Sequence, residues 1–211
     1  MTPFKLVALL PAFALSVTTL GAHAEEGTNT DVHRFQLSLW NTLQTSDRTD
    51  SIHGVRLNLP YGSNRDVHGL DLGIVNHTTR DMHGAALGFA GYVQRDVRGL
   101  QSSFVLSIAR GNVMGVQQGV YTSARNLSGV QSGAVNHVEG AAVGARFAAV
   151  NIAEGSSRGA ELGIVNYARR MRGLQVGIVN VTDELHGVQI GVANIAKNGF
   201  LPFFPVVNAA M

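Results

Sequence analysis

The chain has 211 residues, 25 of them glycine and none cysteine; 45% are apolar and only 14% charged. That supplies ample core material and excludes disulfide stapling, while 16 basic against 14 acidic residues give no electrostatic case for nucleic acid or a strongly acidic partner. The glycine excess, with only 5 prolines and no triplet period, excludes collagen and points to a fold whose backbone approaches itself closely at many repeated places.

Residues 1–24 read as a signal peptide. Lys5 precedes an apolar run from Leu6 to Leu20, broken by Pro11, and Ala22-His23-Ala24 forms a small-x-small cleavage signature. The run is shorter than a membrane span needs. The expected fate is export, to the periplasm, an outer membrane or the cell surface. Residues 25–51 form an N-terminal segment: a polar stretch, then Phe35, Leu37 and Leu39 alternating with Gln36, Ser38 and Trp40 in a lead-in strand, then a loop from Thr42 to Asp50.

Residues 52–194 are a repeat domain. Its unit is G-Φ-x-Φ-G-Φ-Φ-N, where Φ is apolar, preceded by an aliphatic and then often His or Arg. Clean copies are GLDLGIVN from Gly69, GVQSGAVN from Gly129, GAELGIVN from Gly159, GLQVGIVN from Gly173 and GVQIGVAN from Gly187. Degenerate copies start at Gly54, Gly84, Gly99, Gly115 and Gly144, so ten units follow one another in steps of 14 to 16 residues. A helical repeat needs more room.

Within a unit the period is two, which is strand periodicity. Leu174, Val176 and Ile178 point one way; Gly173, Gln175 and Gly177 point the other. Two architectures use such a strand. In a parallel β-solenoid each unit is one coil, identical positions stack about 4.8 Å apart, and Asn76, Asn136, Asn151, Asn166, Asn180 and Asn194 form a hydrogen-bonded ladder. In an antiparallel outer-membrane-type β-barrel the same position never faces itself, so the constant phase has no cause, and three alternating apolar residues make a thin lipid-facing band. The phase therefore favours an all-β parallel solenoid with coils of about 15 residues, with the barrel as the alternative. The first glycine of each unit is expected to turn a corner at positive φ. The fifth position, occupied elsewhere by Asn58, Ser103 and Ala148, is expected to require small size. The Asn is missing at Gly91, Leu106 and Thr122, which predicts an interrupted ladder mid-array. Residues 195–211 are expected to cap the far end, with Pro202 and Pro205 breaking the ladder and Phe200, Phe203 and Phe204 covering the open apolar edge.

The units, together with the tail NGFLPFFPVVN from Asn198 to Asn208, resemble the bacterial surface-repeat proteins of spirochaete and Bacteroidetes type. The resemblance runs from about Ile52 to Asn208. It implies an exported, envelope-associated protein and carries no catalytic residues with it.

The chemical motifs are weak beside the repeat. His53, His68 and His83 recur in one column, with Arg98 next, beside Arg65-Asp66, Arg80-Asp81 and Arg95-Asp96. A solenoid makes these a surface stripe that could bind a ligand, but linear stacking is not tetrahedral metal geometry, and no metal or cofactor is assigned. Ser132 and His137 lack a G-x-S-x-G elbow and an acid, and Asp71 and Glu161 stand 90 residues apart, too far for paired-carboxylate chemistry. No catalytic residue is assigned. The sequence thus points to a non-enzymatic cell-envelope scaffold or adhesion surface that displays equivalent polar residues to an envelope, host or surface macromolecule, without nucleic acid and with an association with the outer membrane left open. A small outer-membrane barrel with a structural or transport role is the first alternative, a hydrolase with a pocket among the irregular units from Gly84 to Thr122 the second.

Overall fold

The computed structural model describes residues 32–38, 45 and 47–211. The expected signal peptide lies outside the described residues, as do Leu39 and Trp40 of the lead-in strand.

The described residues contain fourteen strands and no helix. From the Val32–Ser38 strand to the Val179–Ala196 strand every pairing is parallel. The register places each leading glycine opposite the leading glycine of the next unit, from Gly54 on Gly69 to Gly173 on Gly187. The molecule is a β-solenoid of about ten coils, and the barrel is overturned: its neighbours would run antiparallel and its sheet would close, whereas this pairing runs openly from one end to the other. At about 4.8 Å per coil the array is about 48 Å long.

Each coil has a long arm, a corner, a short arm and a charged turn. In the Gly129 coil the arms are separate strands, Asn126–Ser132 and Val135–Val138; in the Gly69 coil they merge into one bent strand, Val67–Thr78. Glycine recurs at two places of the long arm: the leading glycine lies within the strand, as Gly129 does in Asn126–Ser132, and the fifth-position residue, Gly133 in that coil, follows its end. All ten leading glycines have φ between 122° and 153°. At Gly173 (φ 129°) a Cβ would also stand 2.2 Å from the Gly159 carbonyl oxygen, so dihedral and space both exclude a side chain. The fifth position is a matter of space alone: a Cβ on Gly177 would meet the Gly163 carbonyl at 2.6 Å and the Asn166 amide at 2.7 Å.

The interior divides in two. Beneath the charged turn lie the aliphatics two places before each glycine (Ile52, Val67, Met82, Val97, Val113, Leu127, Met171, Leu185), packed with small residues of the short arm such as Ala109, Ala124, Ala153, Ala168 and Ala196. Beneath the corner lie the third-position and Asn columns, fully buried. The two-fold alternation of the sequence holds, but the motif's aliphatics face outward: Gln175 is 0% exposed and Ile178 52%. The Gln and Asn columns are therefore part of the core and the wall beside the corner is apolar, while the His53, His68, His83 and Arg98 stripe stays outside the core. The physical cause is the thin corner, whose inward backbone carbonyls need donors that aliphatic side chains lack.

Both ends depart from the repeat. Val32–Ser38 adds a parallel rung that carries Gln36 opposite Arg56, and its register steps between His33 and Phe35, where Arg34 stands in place of the strained glycine. At the other end Phe203–Ala210 pairs antiparallel with Val179–Ala196. Pro205 lies inside this last strand, at the step in register between Gly191 and Asn194. Backbone pairing therefore covers the final coil, while Phe200 and Phe203 remain exposed.

Candidate functional site

The Asn column is a continuous amide chain over the last five coils. Asn136 Nδ2 donates to Asn151 Oδ1 (2.9 Å), Asn151 to Asn166 (2.9 Å), Asn166 to Asn180 (2.8 Å) and Asn180 to Asn194 (2.8 Å). Each second N–H reaches a corner carbonyl of the next coil, as Asn166 does to Val176 (2.9 Å). Asn76 does the same to Leu87 at 2.9 Å. Where the Asn is missing, substitutes appear. Asn58 reaches from the fifth position into the space left by Gly62 and donates to Asn76 at 3.0 Å. Thr122 donates to Asn136 at 2.8 Å. A step in the pairing puts Ser107, not Leu106, in the column, where its hydroxyl donates to the Gln118 carbonyl at 2.6 Å.

The third-position column runs beside it with opposite polarity. Gln131 donates to Gln117 (2.8 Å), Gln117 to Gln101 (3.0 Å), Gln189 to Gln175 (2.8 Å) and Gln175 to Glu161 (2.8 Å), all toward the N-terminal end, whereas the Asn chain donates toward the C-terminal end. In the last three coils, where both chains run, their amide dipoles oppose each other along the axis, and each chain polarises its own members. The charges in this column come in adjacent pairs. Arg56 grips Asp71 through Nε (2.8 Å) and Nη2, and also donates to Asn64 and the His77 carbonyl. Arg146 pairs with Glu161 and donates to the Ile152 carbonyl at 2.9 Å. Asp71 and Glu161, separated by six coil steps, are thus each neutralised by a guanidinium one coil away. The fifteen-residue spacing of Arg56 to Asp71 and of Arg146 to Glu161 was the overlooked signal.

The Arg-Asp repeats build a spine along the turns. Asp66 accepts from the Asp81 backbone N–H (3.1 Å), Asp81 from Asp96 (3.1 Å) and Asp96 from Asn112 (2.7 Å), with Arg80 and Arg95 loosely paired alongside. In the next column His53, His68 and His83 stack with ring centroids 4.5 Å apart, and Arg98 follows in register. Burial, and then the neighbouring imidazoles, lower the His68 pKa below the ordinary histidine value. Among the described residues no group of His, Asp and Glu is arranged to hold a metal ion. No hydrogen bond joins Ser132 and His137; the latter meets Glu154 at 3.0 Å.

The outer surface has two features that the repeat alone did not announce. One is a ridge of apolar residues along the corner, including Ile74, Phe89, Phe104, Val120, Ile164, Ile178 and Val192, all at least 45% exposed. The other is a shallow groove of about 420 Å³ on the long-arm wall, made where Ala142, Ser156 and Ser157 are small, and lined by Arg158, Arg170, Arg172, Glu184 and His186. Comparison with family models, with curated proteins and with solved structures finds no match for this chain.

Proposed function

We propose that the protein is a non-enzymatic, exported scaffold of the cell envelope whose repeated outer columns act together as a multivalent interaction surface. The observation that carries this reading is the in-register stacking of equivalent outward residues over ten coils, which turns one weak contact into a row of them. The interior supports it: the ionised core side chains Arg56, Asp71, Arg146 and Glu161 are consumed in structural pairs. The expected leader and the resemblance to surface-repeat proteins support the envelope as the compartment.

Excision of a whole coil tests the reading. Removing residues 115–128 joins Met114 to Gly129, keeps every column in phase and sets Gln131 beside Gln101. Envelope association is expected to weaken in a graded way, and the mature protein to begin near Glu25. A full-length, uncleaved protein in the cytosol, or an association lost outright with that one correctly folded coil, overturns the scaffold reading.

A further inference from the structure

We infer that the apolar ridge docks on an anionic lipid surface, with Arg158, Arg170 and Arg172 receiving the headgroup phosphates; this rests on the envelope scaffold reading and names its partner.

The ridge is large. From Ile74 to Val192 it spans eight coil steps, about 38 Å, and at roughly 15 Å wide it covers on the order of 570 Å², at the top of the 300 to 600 Å² range of the largest, often functional, apolar patch on a soluble monomer. Its chemistry is graded. Along the long arm of the Gly173 coil the outward positions run Arg170, Arg172, Leu174, Val176 and Ile178, from charged to apolar in about 25 Å. An amphipathic surface of this kind lies at a lipid interface, its apolar edge among the acyl chains and its cations at the headgroups. Among the described residues no helix is long and apolar enough to cross a membrane, and an edge contact of this kind needs none.

The groove points to an anion. None of Arg158, Arg170 and Arg172 has an ion pair or side-chain hydrogen bond among the described residues, although Arg170 and Glu184 are register neighbours. Arg158 and Arg172 occupy the same position in adjacent coils, one strand spacing apart. That position contains no carboxylate in any coil: His53, His68, His83 and Arg98 hold it near one end, and Arg158, Arg172 and His186 near the other. Two copies packed ridge to ridge and antiparallel, about a two-fold axis across the ridge, would therefore set basic column against basic column. An anionic lipid surface satisfies ridge and column together.

Sedimentation of the purified protein with vesicles tests the inference. Vesicles containing phosphatidylglycerol are expected to bind at least tenfold more tightly than phosphatidylcholine alone, less so as salt rises. Replacing the three groove arginines (R158Q, R170Q, R172Q) should cost roughly fivefold per charge, about a hundredfold together. The pair I164S and I178S should weaken binding to both vesicle types while leaving the melting temperature within a few degrees, since both side chains are about half exposed. Absence of vesicle binding by the intact, folded protein overturns the inference, as does indifference to lipid charge. So does displacement by free inorganic phosphate without any response to I164S and I178S, which would mark a soluble-anion site. A lipid-free dimer dispersed by I164S and I178S would assign the ridge to a second copy and also overturn it. None of these results bears on the coil-excision outcome, so failure of the lipid proposal and failure of the scaffold reading remain distinct.

Discussion

The two halves of each coil solve opposite problems. Beneath the charged turn the interior is conventional: Met171 and Leu185 stack on Ala153, Ala168 and Ala196, and the ion pairs and the Asp66 to Asn112 spine lie outside. Beneath the corner the order inverts, with Gln, Asn and paired charges inside and aliphatics outside. The turn half is held by transfer of apolar area from water, a force that tolerates approximate fit. The corner half is held by amides whose worth depends on every partner being present, so one missing member costs more than its own bond. A solenoid this narrow teaches that a buried column need not be apolar, provided translation by one coil supplies the next donor.

Breaking the charged pair in the corner half should have the largest effect. Glu161→Leu strands the buried Arg146 and takes the acceptor from Gln175, and is expected to cost about 3–5 kcal/mol in urea unfolding. Arg146→Gln combined with Glu161→Gln should recover most of that loss, because two glutamines continue the chain from Gln131 to Gln175. A double variant no better than the single one would show that the pair acts by more than continuity. In the turn half Leu185→Ala should cost about 3 kcal/mol through the cavity it leaves. Asn166→Ala removes the donor to Asn180 and to the Val176 carbonyl and the acceptor of Asn151, and is expected to cost about 2 kcal/mol. Ile178→Ala, in the aliphatic motif position but outside, should stay within about 0.5 kcal/mol. Equal losses for Leu185→Ala and Ile178→Ala would refute the inversion.

The smallest expected effect is on pH dependence. The His68 pKa is lowered in the fold, first by burial and then by His53 and His83, and that of His77 by burial and then by Arg56 and Arg48. The unfolded chain then binds a proton near pH 6.5 that the folded chain refuses, so stability rises with pH in this window. It should be lost as pH falls from about 6.5 to the folded pKa values and level off below them. Thermal melts across that range should show the slope, reduced in His68→Asn.

Much of the fold was legible because a parallel solenoid repeats its environment at each coil. The constant phase of Gly-Φ-x-Φ-Gly could be met by stacking alone, and the two kinds of glycine were separable because Asn58, Ser103 and Ala148 tolerate the fifth position. The direction of the alternation was not legible. Period two says that Gln175 and Ile178 face opposite ways, but only the closure of the corner decides which way is in. The substitutes for missing Asn were hidden for the same reason: Asn58 acts from a different motif position, and Ser107 enters the column through an inserted residue. The cap was half legible, since Pro205 did not prevent the antiparallel strand that its register step accommodates.

By itself, then, the sequence determined the coil length, the places where glycine recurs and the columns that repeat, and it favoured parallel stacking, because each follows from spacing along one chain. Tertiary structure decided that the amide columns form the core, that Arg56 with Asp71 and Arg146 with Glu161 neutralise each other, and that the aliphatic ridge runs beside a wall bearing three arginines with no ion pair among the described residues. These depend on which residues lie beside one another across coils and across the corner, and on which backbone carbonyls are left needing a donor when the coil closes.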